Sequence, residues 1–162
     1  MAKEKFPTTA AIRQLKQHKV NYAPHLYPYE EKGGTRASST QLGVDENCVI
    51  KTLVMEDENK HPLIILMHGT CEVSTKELAR TLNVKRITPC SPQIAQKHSG
   101  YQVGGTSPFG LLKPLPVYVE QSILECGKIY INGGKRGFLV SLQANTLTQV
   151  LLATAVNVAI NH

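Results

Sequence analysis

Tryptophan is missing from this 162-residue chain, and all aromatic residues together amount to 6%. A recognition sheet built on stacked rings, of the kind that reads single-stranded RNA, is therefore not expected. No apolar run approaches the roughly 18 residues needed to cross a bilayer, and "PLIILMHG" (Pro62–Gly69) falls far short. The opening "MAKEKFPTTA" has no hydrophobic segment behind its lysines, so it does not read as a secretory signal, and the cytoplasm is the expected location. Cys48, Cys71, Cys90 and Cys126 form no C-x-x-C pair. A disulfide framework is not expected, and although His61 and His68 lie near Cys71, the spacing fits no zinc finger. Neither a metal nor another cofactor is expected. The chain also lacks a block of five or six like charges, an internal repeat, a G-x-G-x-x-G or Walker stretch, and any local Ser-His-Asp signature. Nucleotide hydrolysis is disfavoured, and no protein nucleophile stands out.

What is present is ordinary globular material, 41% apolar and 19% charged, long enough for one core. A single domain over 1–162 is expected. The net charge of +6 favours an anionic partner, with nucleic acid first.

The order is mixed, with short strands, several of them joined as hairpins, and helices interspersed. "TTAAIRQLKQHKV" predicts a first helix capped by Thr8 or Thr9, with Ile12 and Leu15 inward. "NYAPHLYPYE" holds two prolines and reads as an edge strand. "TRASSTQLG" is a short helix ended by Gly43. "CVIKTLVME" and "PLIILMH" predict a hairpin across "DENK". "VSTKELARTLN" carries a capping box, Ser74 with Glu77. After a short strand at "VKRIT", Ser91 and Pro92 open a helix that closes on Gly100. Strands follow at "LPVYV", "KIYIN" and "GFLVSL", and "NTLTQVLLATAV" predicts a last helix capped by Asn145. Without regular βαβ alternation this is an α+β fold, a mixed, curved and barrel-like sheet with flanking helices.

Three places carry chemistry. Lys51 shares a strand face with Val49, Leu53 and Met55, and the other face is apolar except for Thr52. A strand apolar on both sides is buried on both sides. Lys51 is then either an edge residue whose amine snorkels to water or a cation aimed into a pocket. "GGTSPFG" is either a tight turn or a loop in which Gly104 and Gly105 let a ligand approach and expose amides to an anion. Thr106 and Ser107 would add hydroxyls, and Pro108 stiffness. "YINGGKRGF" is a hairpin turn that also offers Lys135 and Arg136 to phosphate.

Together, and in this order, "VIKTLV", "SGYQVGGTSPFG" and "YINGGKRG" closely resemble the YbaK-type aminoacyl-tRNA deacylases, relatives of the editing domain inserted in bacterial prolyl-tRNA synthetases. The resemblance covers roughly residues 8–152. It implies trans-editing, the clearance of wrong amino acids from tRNA, with Cys-tRNA(Pro) the preferred substrate and Cys-tRNA(Cys) a further one. It also implies an attack by the substrate's own thiol that releases a cyclic thiolactone. A close relative clears Ala-tRNA(Pro), and prolyl-tRNA synthetase is an implied partner in a ternary complex. No membrane is implied. Residue by residue, the essential lysine matches Lys51, and the glycine-rich loop matches Gly104, Gly105, Thr106, Ser107 and Pro108. A substrate-binding tyrosine matches Tyr27, and the turn matches Gly133, Gly134, Lys135 and Arg136 through Gly137. Asn132 stands where many members have serine, and Phe138 and Leu139 where some have an acidic residue. Two other classes fit the same residues: a non-catalytic tRNA- or nucleotide-binding module, and a generic small-molecule hydrolase.

Overall fold

Thr9 is the residue that caps the first helix. Its Oγ1 accepts from the Ile12 amide at 3.1 Å, and α1 (Ala10–Gln17) buries Ala11, Ile12 and Leu15 on one side. The computed structural model describes residues 5–161, so the first four residues of the opening stretch and both ends of the expected 1–162 domain lie outside it.

The main sheet is mixed. Its strands are β1 (Ala23–Leu26), β2 (Val49–Asp57), β3 (Pro62–His68), β5 (Ile87–Pro89), β6 (Val117–Glu120), β7 (Lys128–Lys135), β8 (Phe138–Gln143) and β9 (Thr154–Val156). Pairing runs β1-β8-β7-β2-β3-β6-β9, with β5 added to β2. Among the described residues no pairing joins β1 to β9. The short connections give antiparallel pairs, β2 with β3 and β7 with β8. The long ones give parallel pairs, β2 with β7 and β3 with β6. The expected α+β class is the one that forms. β1 is the expected edge strand, so Pro24 costs no ladder bond in the sheet interior.

Three helices flank the sheet between its strands. The second, α2 (Gly34–Leu42), stops at Gly43, whose φ is +67°. The fourth, α4 (Pro92–Ser99), starts on the Ser91 cap and stops at Gly100. Between them α3 (Thr75–Leu82) forms half of the expected capping box. Ser74 Oγ accepts from the Glu77 amide, but the Glu77 carboxylate takes Arg80 instead of reaching back, and the Ser74 amide donates to Val158 O at 2.8 Å.

The last expected helix is corrected. Only one turn forms, α5 (Thr146–Gln149), and the Asn145 side chain makes no cap bond. Leu152 then takes a left-handed φ of +53°, and the chain continues as β9, parallel to β6. Its β-branched Thr154 and Val156 fill a vacant sheet edge, and that pairing outweighs the helical spacing of the leucines. Two three-residue strands, β4 (Cys71–Val73) and β10 (Ala159–Asn161), pair as a separate ribbon and are too short to show alternation in sequence.

β2 is apolar on both sides because it divides two clusters. Ile50 and Val54 pack with Ile64, Phe109 and Ile131. Met55 packs with Leu63, Ile65 and Met67. The sheet, α2, α4 and the 101–116 loop leave a cavity over the middle of β2.

Candidate functional site

That cavity measures about 480 Å³ and is lined mainly by apolar groups. Its size falls within the roughly 300–1,000 Å³ of small-molecule sites. Of the residues singled out in the sequence, Lys51, Tyr27, Gly104, Thr106 and Asn132 meet here. Gly105, Ser107, Pro108, Gly133, Gly134, Lys135 and Arg136 are not among the lining residues.

Lys51 is half-buried, and its Nζ donates to the backbone carbonyl of Cys71 on β4. Burial lowers its pKa, and the electrostatic influence of the nearby Glu72, Cys71 and Glu46 pulls the other way. Desolvation therefore works against the ammonium while those partners hold it. Lys51 lines the cavity, and its amine is anchored on the Cys71 carbonyl, which is not among the lining residues.

The glycines of the 101–116 loop are bare for a reason the sequence did not show. Gly105 lies flat on the β7–β8 turn, where a Cβ would come within 2.8 Å of the Arg136 nitrogen and 3.0 Å of the Lys135 carbonyl carbon. Its amide donates to Gln102 O at 2.8 Å, so it is not free for an anion. Gly104 takes φ +91°, open to glycine at little cost, and a Cβ there would strike the Tyr29 hydroxyl. Among the described residues the amides of Gly104, Thr106 and Ser107 make no backbone hydrogen bond. Ser107 is fully buried, and its hydroxyl accepts from the Phe109 amide at 3.2 Å, bracing the loop together with the buried Pro108. Tyr101 clasps the far end of the loop by donating to Phe109 O at 2.6 Å.

Asn132 joins the two motifs. Its Oδ1 accepts from the Gly134 and Lys135 amides at 2.6 and 3.1 Å, and its Nδ2 donates to Gly104 O at 3.2 Å. Thr9 Oγ1 donates to Gly133 O at 2.5 Å, fixing the same turn from α1. Lys135 is exposed. Arg136 is half-buried and donates from Nε to Val103 O at 2.8 Å. Tyr27 follows β1 directly, with its amide on Gly137 O at 3.0 Å. Its phenol is pushed up by burial, with a smaller contribution from Tyr29 and a Gly137 backbone hydrogen bond acting against both.

Several lining residues were not singled out in sequence. Gly34, Thr35 and Ser38 come from the start of α2. The three-residue spacing of Thr35 and Ser38 was the available signal, since it places both on one helix face. Thr52, noted only as the polar exception on its strand face, has a buried hydroxyl with no partner among the described residues. Cys90 also lines the wall. Its thiol is pushed up to about 11 by burial and, secondarily, by Glu56. Among the described residues no group of three His, Cys, Asp or Glu could hold a metal ion. No helix there is long and apolar enough to cross a membrane.

A mixed α+β sheet over an apolar cavity, with an anchored lysine in one wall and a braced glycine loop in another, forms a cavity of small-ligand size. The chain belongs to the aminoacyl-tRNA editing domain family, whose model matches residues 30–150. It is 30% identical over 144 residues, 88% of each chain, to the Enterococcus faecalis protein named "Putative Cys-tRNA(Pro)/Cys-tRNA(Cys) deacylase EbsC". It is 27% identical over 110 residues to a proline–tRNA ligase of Thermodesulfovibrio yellowstonii, covering 68% of this chain and 18% of that much longer one. Its fold matches a crystal structure described as "a putative trans-editing enzyme for prolyl tRNA synthetase", with a TM-score of 0.81 at 17% identity over 96% of this chain and 100% of that one.

Proposed function

We propose that this chain acts as one trans-editing domain that clears cysteine from tRNA(Pro), and also from tRNA(Cys), by holding the aminoacyl ester in the Lys51 cavity while the substrate's own thiol attacks it. The carrying observation is the composition of the cavity: a lysine, backbone amides, apolar walls and a quiet protein thiol. With its pKa near 11, Cys90 is protonated at neutral pH and is a poor nucleophile. The name of the 30% identical relative supports the choice of amino acid.

In the step envisaged, the substrate sulfur adds to the ester carbonyl carbon. The C–S bond forms, the C–O bond to the ribose breaks, and the thiol proton passes to the departing ribose oxygen. Intact tRNA and a cyclic thiolactone leave. Orientation supplies much of the acceleration, since effective molarities reach about 10⁵–10⁸ M in favourable intramolecular systems. The amides of Gly104 and Thr106 stabilise the carbonyl oxygen as charge develops. Gly105, Ser107 and Pro108 keep that loop rigid. Lys51 binds the terminal ribose or phosphate. Tyr27 and Asn132 contact the aminoacyl end, and the Gly133–Gly134 turn presents Lys135 and Arg136 to the nucleotide chain. No cofactor enters. The substrate is cytoplasmic, and a modest charge of +6 is compatible with help from prolyl-tRNA synthetase in a ternary complex, which co-purification tests.

The direct test is clearance of Cys-tRNA(Pro), Ala-tRNA(Pro) and Cys-tRNA(Cys) by wild type and Lys51→Ala. Wild type is expected to release cysteine from both tRNAs well above the buffer rate, and Lys51→Ala to lose at least about tenfold, the scale of one charged contact. Clearance of none of the three ends the enzyme reading. Alanine released as fast as cysteine ends the thiol mechanism and favours water as the nucleophile.

A further inference from the structure

A second cavity, of about 460 Å³, lies beside the first and shares Tyr27, Gly34, Val103 and Gly104 with it. Its own walls bring Tyr29, Glu30, Glu31, Lys32 and Arg136 together. Arg136 is fixed twice: Nε donates to Val103 O at 2.8 Å, and the guanidinium carbon stands 5.1 Å from the centre of the Tyr29 ring. The Val103 bond uses Nε and leaves the two terminal nitrogens without an acceptor among the described residues. Tyr29 keeps 38% of its surface exposed.

The charges around this cavity cancel, Glu30 and Glu31 against Lys32 and Arg136. A phosphate would meet two carboxylates there, so the cavity is poorly suited to an anion. A flat guanidinium held beside a phenol ring suits a flat, neutral partner with a π face. Carboxylate oxygens alongside suit a partner with an exocyclic amino group, as on cytosine N4. A nucleobase has both features.

Building on the deacylase reading above, we propose that the second cavity seats the base of the nucleotide preceding the aminoacylated adenosine, with Tyr29 and Arg136 as its stacking platform. Contiguity sets the order. The ester-bearing end fills the Lys51 cavity, and the next nucleotide along the strand crosses Gly104 into the Arg136 cavity. In a tRNA that nucleotide is a cytidine, whose amino group Glu30 or Glu31 accepts.

The test uses cysteinyl esters of three acceptors: tRNA(Pro), the dinucleotide CpA, and the same dinucleotide with an abasic first position. The abasic ester keeps the phosphate and removes only the base. Wild type is expected to clear the CpA ester with about tenfold higher kcat/KM than the abasic one, chiefly through KM, the scale of one base stacked on an aromatic ring. That ratio should fall toward one in Arg136→Ala and in Tyr29→Leu, which dismantle the stack from opposite sides. Arg136→Lys, which keeps the charge and loses the plane, should behave like Arg136→Ala. Equal clearance of the two dinucleotide esters by a wild type that still clears Cys-tRNA(Pro) overturns the base site and leaves the deacylase reading standing. A tenfold ratio that survives in Arg136→Ala and Tyr29→Leu also overturns it. No clearance of any ester above the buffer rate overturns both.

Discussion

An alanine at position 105 would bring its Cβ to 2.8 Å from the Arg136 nitrogen, so the loop and the turn would have to part. Overpacking of this kind costs about 1–3 kcal/mol. Gly105→Ala should therefore lower the urea midpoint by that equivalent, and an unchanged midpoint would mean that the loop does not rest on the turn. Thr52 predicts the opposite sign. Its hydroxyl is buried and unpaired, and a buried orphan of this kind costs about 1–3 kcal/mol. Thr52→Val should stabilise the chain by about 1 kcal/mol in the same assay; a loss of stability would reveal a partner for the hydroxyl. The lysine and the glycines stood out in sequence because their chemistry is unusual where they occur. The roles of Asn132 and Thr52 did not, because a side chain that links two distant loops, or one left without a link, is visible only once those loops have met.

At the scale of elements, the 101–116 loop is held by Tyr101, whose phenol is pushed up to about 12 chiefly by burial. The unfolded phenol ionises near pH 10. Between about pH 10 and pH 12 the native state keeps a proton that the unfolded state has lost, so stability is complete below that window and declines as pH rises through it. Tyr101→Phe should flatten this part of the stability–pH curve; an unaltered slope would assign the decline to other groups. Strands and helices with clear punctuation were legible: the Thr9, Ser74 and Ser91 caps, the stops at Gly43 and Gly100, and the β2–β3 hairpin. The segment after Asn145 was misread because Leu147, Val150 and Leu151 carry a helical spacing. The alternating, β-branched Thr154 and Val156 matter only when β6 offers them an edge.

For the whole molecule, the sheet order brings β2, α2 and the glycine loop around one cavity although they are far apart in sequence. No local pattern encodes that convergence, and for this reason the motifs had to be read together. A charge of +6 spread without a basic block predicts few phosphate contacts. With about four, log KM for Cys-tRNA(Pro) should rise with log salt at a slope near 3. A slope near zero would point to a small-molecule hydrolase in place of a tRNA enzyme.

The most direct measurement of the central claim locates the aminoacyl end by NMR, using a stable analogue in which cysteine is joined to the 3′ position of adenosine through an amide. Binding is expected to shift the Gly104 and Thr106 amides and the Lys51 ε-ammonium signal, and to leave the β4–β10 ribbon amides beyond Cys71 in place. Saturable binding that leaves Gly104, Thr106 and Lys51 unshifted would contradict the account.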